Sequence, residues 1–418
     1  MVVGAHVCGT EGDVSDDDAG APFGGGGRKG DPASGADGAT AVGDGLRRRR
    51  RRRLLGRSGI VVAVLAVGAV GVGWAVYAKL DGNITSDEAA AAELARYEKE
   101  RPTSLVRGAQ NVLLIGSDSR SGDGNARYGR DSGTERSDTT ILLHLAAGRD
   151  SATAVSLPRD LMVNVPDCRR PDGSRTEPAF AQFNHAYEVG GSACSIRTVE
   201  KLTGVRIDHH VVVDFQGFKE LVDALDGVEV CLRKPVDDKD AKLKLPAGRV
   251  TLDGEQALGY VRARKSLGDG SDTDRMDRQQ RFLGALVNKV QSNDVLLNPV
   301  KLYPVLDAAT SSLTTDPDLA SLRGLYDLVR GLRGIPTERV QFLTVPRESY
   351  AGDANRDQLV EPDAEKLFTR LRTDEPVAIA AAAEPDPPTG PGNSREPGAD
   401  GSPAPTFSGN TAAEDICE

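Results

Sequence analysis

Several chemical signatures are missing from this chain of 418 residues. Its five cysteines show no CxxC or other metal-binding spacing, which argues against a structural zinc site. HExxH, GxSxG, Walker A and GxGxxG are all absent, so nothing points to a zinc protease, an α/β-hydrolase, a P-loop NTPase or a dinucleotide enzyme. The GGGGRKG run at 24–30 fails the phosphate-loop spacing. No helix-turn-helix pattern and no internal repeat is evident. Positive charge is also short. The formal net charge is -10, and ten Lys and Arg against eight Asp and Glu through Ser58 leave -12 on the remainder. Nucleic-acid binding needs a basic face that releases counterions, so no nucleic acid is expected as a partner. Large apolar side chains are nearly absent from residues 1–58 and 375–418. Neither end can bury enough surface to offset chain entropy, so both are expected to be disordered. One sizeable domain remains, residues 107–374.

What is present begins with Gly59–Ala78, twenty residues without a charge. That length crosses a bilayer as a helix, and the run is apolar all round. Seven consecutive arginines, Arg47 to Arg53, precede it. The positive-inside rule then predicts a single-pass anchor over 59–79, a cytoplasmic N-terminus and an extracellular remainder, with the cell membrane as location. Ser86–Glu100 reads as an Ala-rich helix within a stalk, residues 80–106, ended by Pro102. Outside the membrane disulfides persist. Cys168 and Cys194 flank a loop-rich segment with 25 intervening residues and are expected to pair, Cys231 being the alternative partner of either.

The domain alternates strand-length apolar runs with helical periodicity. Val112–Ile115, Thr139–Leu145, Thr153–Leu157, His209–Phe215, Val228–Leu232 and Val340–Val345 read as strands. Helices are predicted at Ser195–Thr203, from Phe215 to Leu225, from Leu252, from Asp274, near Pro299–Ser312, Leu319–Leu332 and Ala364–Leu371. Helix, Asp226-Gly227 turn and strand in series indicate a layered α/β fold.

Charged residues gather at the predicted strand ends. Asp118 and Asp138 close the loop between the first two strands, each with an arginine two residues away, Arg120 and Arg136. Paired carboxylates facing arginines suit a divalent metal and an anionic substrate, since Mg²⁺ takes one or two carboxylates and completes its shell with phosphates and water. Pro158 breaks the third strand and leaves Arg159 and Asp160 at its end, where open α/β sheets hold ligands. Arg275, Arg278 and Gln279 lie on or near the first turn of a helix whose free N–H groups also face an anion. Arg262 and Arg264 would share a face only on an extended segment, so Val261–Arg264 is expected to leave helical geometry. His185, His209 and His210 belong to no triad or metal motif and are expected to be structural.

With these segments in view, the chain resembles the LytR–CpsA–Psr family of cell-envelope phosphotransferases. NVLLIGSDSR, RSDTTILLHL, SLPRD, FNHAY, VDFQGFKELVDALDGVEV, LDGEQALGYVRARK and DRMDRQQRFL carry the resemblance, in the family's order, over about residues 110–290. It implies a mixed central sheet with helices on both faces and a deep apolar pocket for a polyprenyl tail. The implied activity is transfer of a glycopolymer phosphate, such as teichoic acid, from a polyprenyl-pyrophosphate carrier to peptidoglycan with Mg²⁺ or Mn²⁺. By motif, Asp118 and Asp138 become metal-associated carboxylates. Arg159, Arg262, Arg264 and Arg275 become catalytic arginines, and Arg120, Arg278 and Gln279 bind substrate. Where many members carry Lys before Asn-His-Ala-Tyr, this chain has Gln182-Phe183-Asn184, which removes one phosphate-facing cation. Two other functions compete: a non-catalytic envelope module that binds carrier lipid or wall glycan, and a transcriptional attenuator. The carboxylate and arginine set favours the enzyme.

Overall fold

The computed structural model of this chain describes residues 63–117, 137–239, 241–263, 272–292, 298–381, 406–414 and 417. Contacts divide the chain into two units, Met1–Ala69 and Val70–Glu418. In the first, residues 63–69 are helical and open helix α1, Ala63–Asn83. At ~1.5 Å per residue α1 is long enough to cross a bilayer, and its apolar side chains are almost all exposed.

The second unit begins with β1 (Thr85–Ser86), α2 (Glu88–Arg96), β2 (Gln110–Ser117), β3 (Ser137–Leu145), β4 (Ala152–Leu157), β5 (Met162–Val165) and β6 (Ala179–Gln182). Next come α3 (Phe183–Thr203), β7 (His209–Asp214), α4 (Phe215–Ala224), β8 (Val228–Leu232), β9 (Val236–Asp238), β10 (Leu243–Leu245) and β11 (Gly248–Leu252). Then α5 (Gly254–Arg262), α6 (Asp272–Gln291), α7 (Pro299–Ser312), β12 (Leu313–Thr315), α8 (Leu322–Arg333) and β13 (Val340–Thr344) follow. The last elements are β14 (Arg347–Tyr350), β15 (Asp353–Leu359), α9 (Asp363–Thr373), β16 (Ala378–Ala381) and β17 (Thr406–Thr411).

Nine strands form one mixed sheet in the order β1-β12-β7-β2-β3-β4-β13-β17-β16. β2 pairs parallel with β7 and β4 with β13, while β3 runs antiparallel between β2 and β4. The carboxyl ends of four strands therefore share one edge with the amino end of β3. Strand alternation divides the apolar residues between two faces. Leu113, Ile115, Leu142 and Val155 pack under α2, α3 and α9. Val112, Ile141 and Ala154 face α8, and Leu283 and Val287 of α6 join them. The expected sheet with helices on both faces is present.

Several boundaries differ from expectation. The FNHAY segment opens α3, twelve residues earlier than Ser195. Gly190 and Gly191 break that helix, Gly191 with φ +59°. A Cβ on Gly190 would lie 2.7 Å from the Cβ of Cys194 and 3.0 Å from that of Cys168. The kink thus makes room for the Cys168–Cys194 disulfide, the expected pair. The segment read as a stalk is no spacer: Ala90 and Leu94 of α2 are buried in the main core. The tail, expected to be disordered, supplies β16 and β17, with Phe407 buried and a second disulfide joining Cys231 to Cys417. A short strand needs little core of its own when an open sheet edge already offers unpaired backbone groups. Composition cannot register that edge.

Candidate active site

A cavity of about 1300 Å³ opens at the strand edge just described. The sheet forms its floor, and α4, α5 and α6 form its wall. Its lining has two chemistries. Leu114, Ile141, Val213, Phe218, Phe282 and Leu286 make an apolar body. Leu114 lies three residues before the end of β2, about 10 Å into the sheet at ~3.3 Å per residue. At the edge itself the lining is charged: Asp138, Arg159, Asp160, Arg262, Arg275 and Arg356.

Local structure fixes each of these groups. Asp138 enters with the start of β3. Arg159 leaves β4 after Pro158, and its carbonyl accepts from Asn184 N at 3.1 Å, which ties it to the first turn of α3. Arg159 then links two carboxylates, through Nη1 to Asp138 Oδ1 at 2.9 Å and through Nε to Asp160 Oδ2 at 3.1 Å. Burial works against this guanidinium, but Asp160 and Asp138 outweigh it and raise its pKa. Asp160 Oδ1 also accepts from Gln182 Nε2 and, at 3.4 Å, from Arg356 Nη1. Arg356, on β15 and absent from the sequence reading, brings a guanidinium to the same carboxylate.

The remaining arginines come from the α5–α6 turn. The capping box of Asp253 and Gln256 starts α5. Arg262 is its last residue, and Ala263 is already extended at φ -55°, ψ 136°. Val261 and Arg262 thus remain helical, against expectation, and the chain leaves helical geometry only at Ala263. The Arg262 guanidinium lies 4.5 Å from the Phe215 ring centroid, which steadies it at the cavity wall. Arg275 is buried and Gln279 half-buried, and both line the cavity. Gln279 Nε2 also donates to Val261 O at 3.2 Å.

Arg278, expected with them, is placed differently. It is buried and not part of the lining, and it donates through Nε to Tyr260 O at 3.0 Å and through Nη2 to Ala263 O. It clamps the carboxyl end of α5 rather than facing a ligand. Asp118, Arg120 and Arg264 lie outside the described residues. His209 and His210 are structural, held by Asp316 and Asp87, but His185 lines the cavity near Glu188. FNHAY carried no signal for this, because only the helical start at Phe183 turns His185 toward the strand edge.

The site's donors suit a hard cation. Asp138 offers carboxylate oxygen, and among the described residues only its Oδ1 is engaged. Asp160 is committed to three side chains. Among the described residues no three His, Cys, Asp or Glu side chains converge. A carboxylate beside arginines fits Mg²⁺ or Mn²⁺ completed by substrate phosphates rather than a cation caged by protein.

Comparison with known proteins finds relatives in cell-wall assembly. Cell wall biosynthesis protein LcpA of Corynebacterium glutamicum is 33% identical over 72% of this chain and 61% of its own length, so the chain spans less than two thirds of that relative. The polyisoprenyl-teichoic acid–peptidoglycan teichoic acid transferase TagT of Bacillus subtilis is 30% identical over 69% of this chain and 86% of its own. In fold, the LytR-Csp2A-Psr enzyme from Actinomyces oris superposes with a TM-score of 0.51 at 22% identity, covering 65% of this chain and 93% of that one. The LytR_cpsA_psr family itself matches residues 77–373, nearly the whole described domain with its strand-edge cavity, and the chain belongs to that family.

Proposed function

We propose that this protein is a membrane-anchored phosphotransferase that moves a glycopolymer phosphate from a polyprenyl-pyrophosphate carrier to peptidoglycan during cell-wall assembly. One observation carries the reading: a long apolar cavity that ends in a carboxylate–arginine edge has the shape and polarity of a lipid pyrophosphate. TagT, the transferase relative, acts on a polyisoprenyl-linked teichoic acid, which supports the same substrate class here. α1 is the anchor, with Arg47–Arg53 on the cytoplasmic side and the domain outside the cell.

The polyprenyl tail lies along Leu114, Phe218, Phe282 and Leu286. The pyrophosphate then meets Arg159, Arg262 and Arg275, whose forks bind phosphate oxygens and stay charged at any working pH. A hydroxyl oxygen of the acceptor glycan bonds to the phosphorus that bears the glycopolymer, and its proton passes to solvent water. The bond from that phosphorus to the bridging oxygen breaks, and polyprenyl phosphate leaves with the electron pair. Such a transfer asks the protein for positioning and charge stabilisation and for little covalent help. Asp138, with Asp118 as its proposed partner, would hold Mg²⁺ or Mn²⁺, which supplies positive charge to the phosphate oxygens when bound. Asp160 keeps Arg159 oriented.

The test is turnover of a polyprenyl-pyrophosphate glycan by the purified full chain in detergent, with Mg²⁺ and with EDTA, alongside mass spectrometry of co-purified lipid. Metal-dependent release of polyprenyl phosphate with transfer to peptidoglycan is expected. Bound polyprenyl lipid without turnover would turn the reading toward the non-catalytic module.

A further inference from the structure

Among the described residues beyond α1, six large hydrophobic side chains are exposed: Leu105, Phe180, Val300, Tyr303, Tyr326 and Val329. Single exposed apolar residues are ordinary, but clustered ones mark a contact surface. Four of these six lie on α7 and α8, and both helices are tied to the carboxyl end of α1. Lys79 Nζ donates to Tyr303 Oη at 3.1 Å and to Asp307 Oδ2 at 2.9 Å. One turn later, Asn83 Nδ2 donates to Asp307 Oδ1 at 2.9 Å and to Thr310 Oγ1 at 3.4 Å. A step of four along α1 matches a step of about four along α7, so the two helices run side by side in the same direction. Asp81 Oδ1 accepts from Leu322 N, the first residue of α8, at 2.8 Å.

This register can be run backward. Val300 precedes Tyr303 by three residues, about 4.5 Å of helix, and so stands level with Val76 of α1. Around that level α1 exposes Trp74 and Tyr77, at 72% and 47%. Trp and Tyr collect where a bilayer meets water, and Trp74 is the single tryptophan of the chain. The first turn of α7 therefore reaches the depth at which α1 carries its interfacial aromatics. Val300 is 80% exposed at that level. α8 contributes charge. Leu325, Leu328 and Leu332 pack inward, while Arg323, Tyr326, Arg330 and Arg333 recur at steps of three and four along the exposed face, with Val329 beside them. Asp327 offsets one of these arginines, Arg323, at 4.0 Å. Cationic and aromatic residues on one helical face are unusual for a chain of net charge -10, and they suit anionic phospholipid headgroups.

We infer that the first turn of α7 and the outer face of α8 form a second, peripheral membrane contact that rests on anionic phospholipid of the outer leaflet. This rests on the reading of α1 as an anchor. It has a functional consequence. Val305 of α7 packs against Leu221 and Leu286, which line the cavity. The helix that meets the bilayer is thus backed by the cavity's apolar wall.

The test uses the full chain in vesicles of phosphatidylglycerol and phosphatidylcholine carrying brominated acyl chains. In the unaltered chain, Trp74 emission reports the anchor. In a Trp74→Phe background, Val300→Trp and Val329→Trp each place one indole on the proposed contact, at exposed positions that leave the core untouched. Both indoles should lose emission, most with bromines nearest the headgroups, as expected for side chains ~5–10 Å into the interface. The loss at position 329 should weaken when phosphatidylcholine replaces phosphatidylglycerol. Quenched Trp74 with unquenched indoles at 300 and 329 would overturn the second contact and leave the anchor standing. Quenching at 300 alone would remove α8 from it. An unquenched Trp74 would end the anchor reading and this one together.

Discussion

The central strands carry hydrogen-bonded carboxylates at both of their ends, and the two ends do opposite things. At the amino ends of β2 and β7 and the carboxyl end of β3, His144 lies between Asn111 and Asp374, His209 meets Asp316 and His210 meets Asp87. There each carboxylate is hydrogen-bonded to a histidine ring within the fold. At the opposite ends, Asp138, Arg159 and Asp160 pair just as closely but line an open cavity. Chemistry alone does not separate the two groups. Access does: a closed pair can only stabilise the fold, whereas a pair beside a cavity can exchange a partner for phosphate.

The largest expected effect tests the open end. Asp138→Ala and Arg159→Ala should each lower turnover about 10²–10³-fold, the scale of a lost preorganised charge contact. Their thermal midpoints should stay near that of the unaltered protein. Because both act on the same developing charge, the double variant should be little worse than either single one. Near-normal turnover in well-folded Asp138→Ala protein would place that carboxylate with the closed pairs.

Arg275 and Arg278 carry the same contrast within one turn of α6. Arg278→Gln should cost about 1–3 kcal/mol of stability by leaving buried carbonyls of Tyr260 and Ala263 poorly paired. Turnover per folded molecule should hold. Arg275→Gln should do the reverse. Denaturant titration beside kinetics separates them, and a loss of turnover without loss of stability in Arg278→Gln would return that residue to the substrate set.

A smaller effect is expected from Arg262→Lys, about tenfold in turnover, because charge is kept and the bidentate fork is lost. An unchanged rate would mean that its contact with phosphate is a point charge only.

The smallest effect belongs to the closed end. Burial opposes the Asp87 charge, but hydrogen bonds from His210, Ser192 and the Ala90 amide overcome it and hold the carboxyl to about 2. That is below its ordinary 3.8, so its stabilisation is present above about pH 4 and is lost as pH falls toward 2. Asp87→Asn should therefore be less stable by on the order of 1 kcal/mol at neutral pH, with the gap closing between pH 4 and 2 and turnover unaffected. A gap that stays constant across that range would show that the carboxylate's charge contributes nothing.

By itself the sequence determined those features that depend on local chemistry. Strand-length apolar runs marked β2, β3, β4 and β13, helical periodicity marked α4, and α7 was expected where it lies. Pro158 placed Arg159 at a strand end, and the spacing of Arg262 and Arg264 pointed to a break in helix that comes at Ala263, after Arg262. Tertiary structure decided whatever depends on the far side of a contact. Arg275 and Arg278 read alike in DRMDRQQRFL and lie only about 60° apart around α6; it is the carboxyl end of α5, packed against this turn, that engages Arg278. Arg356 had no motif, since only the β14–β15 hairpin carries it to Asp160. The tail's strands were invisible for a related reason: β16 and β17 draw their stability from the open edge of β13, a property of the assembled sheet and not of their own residues.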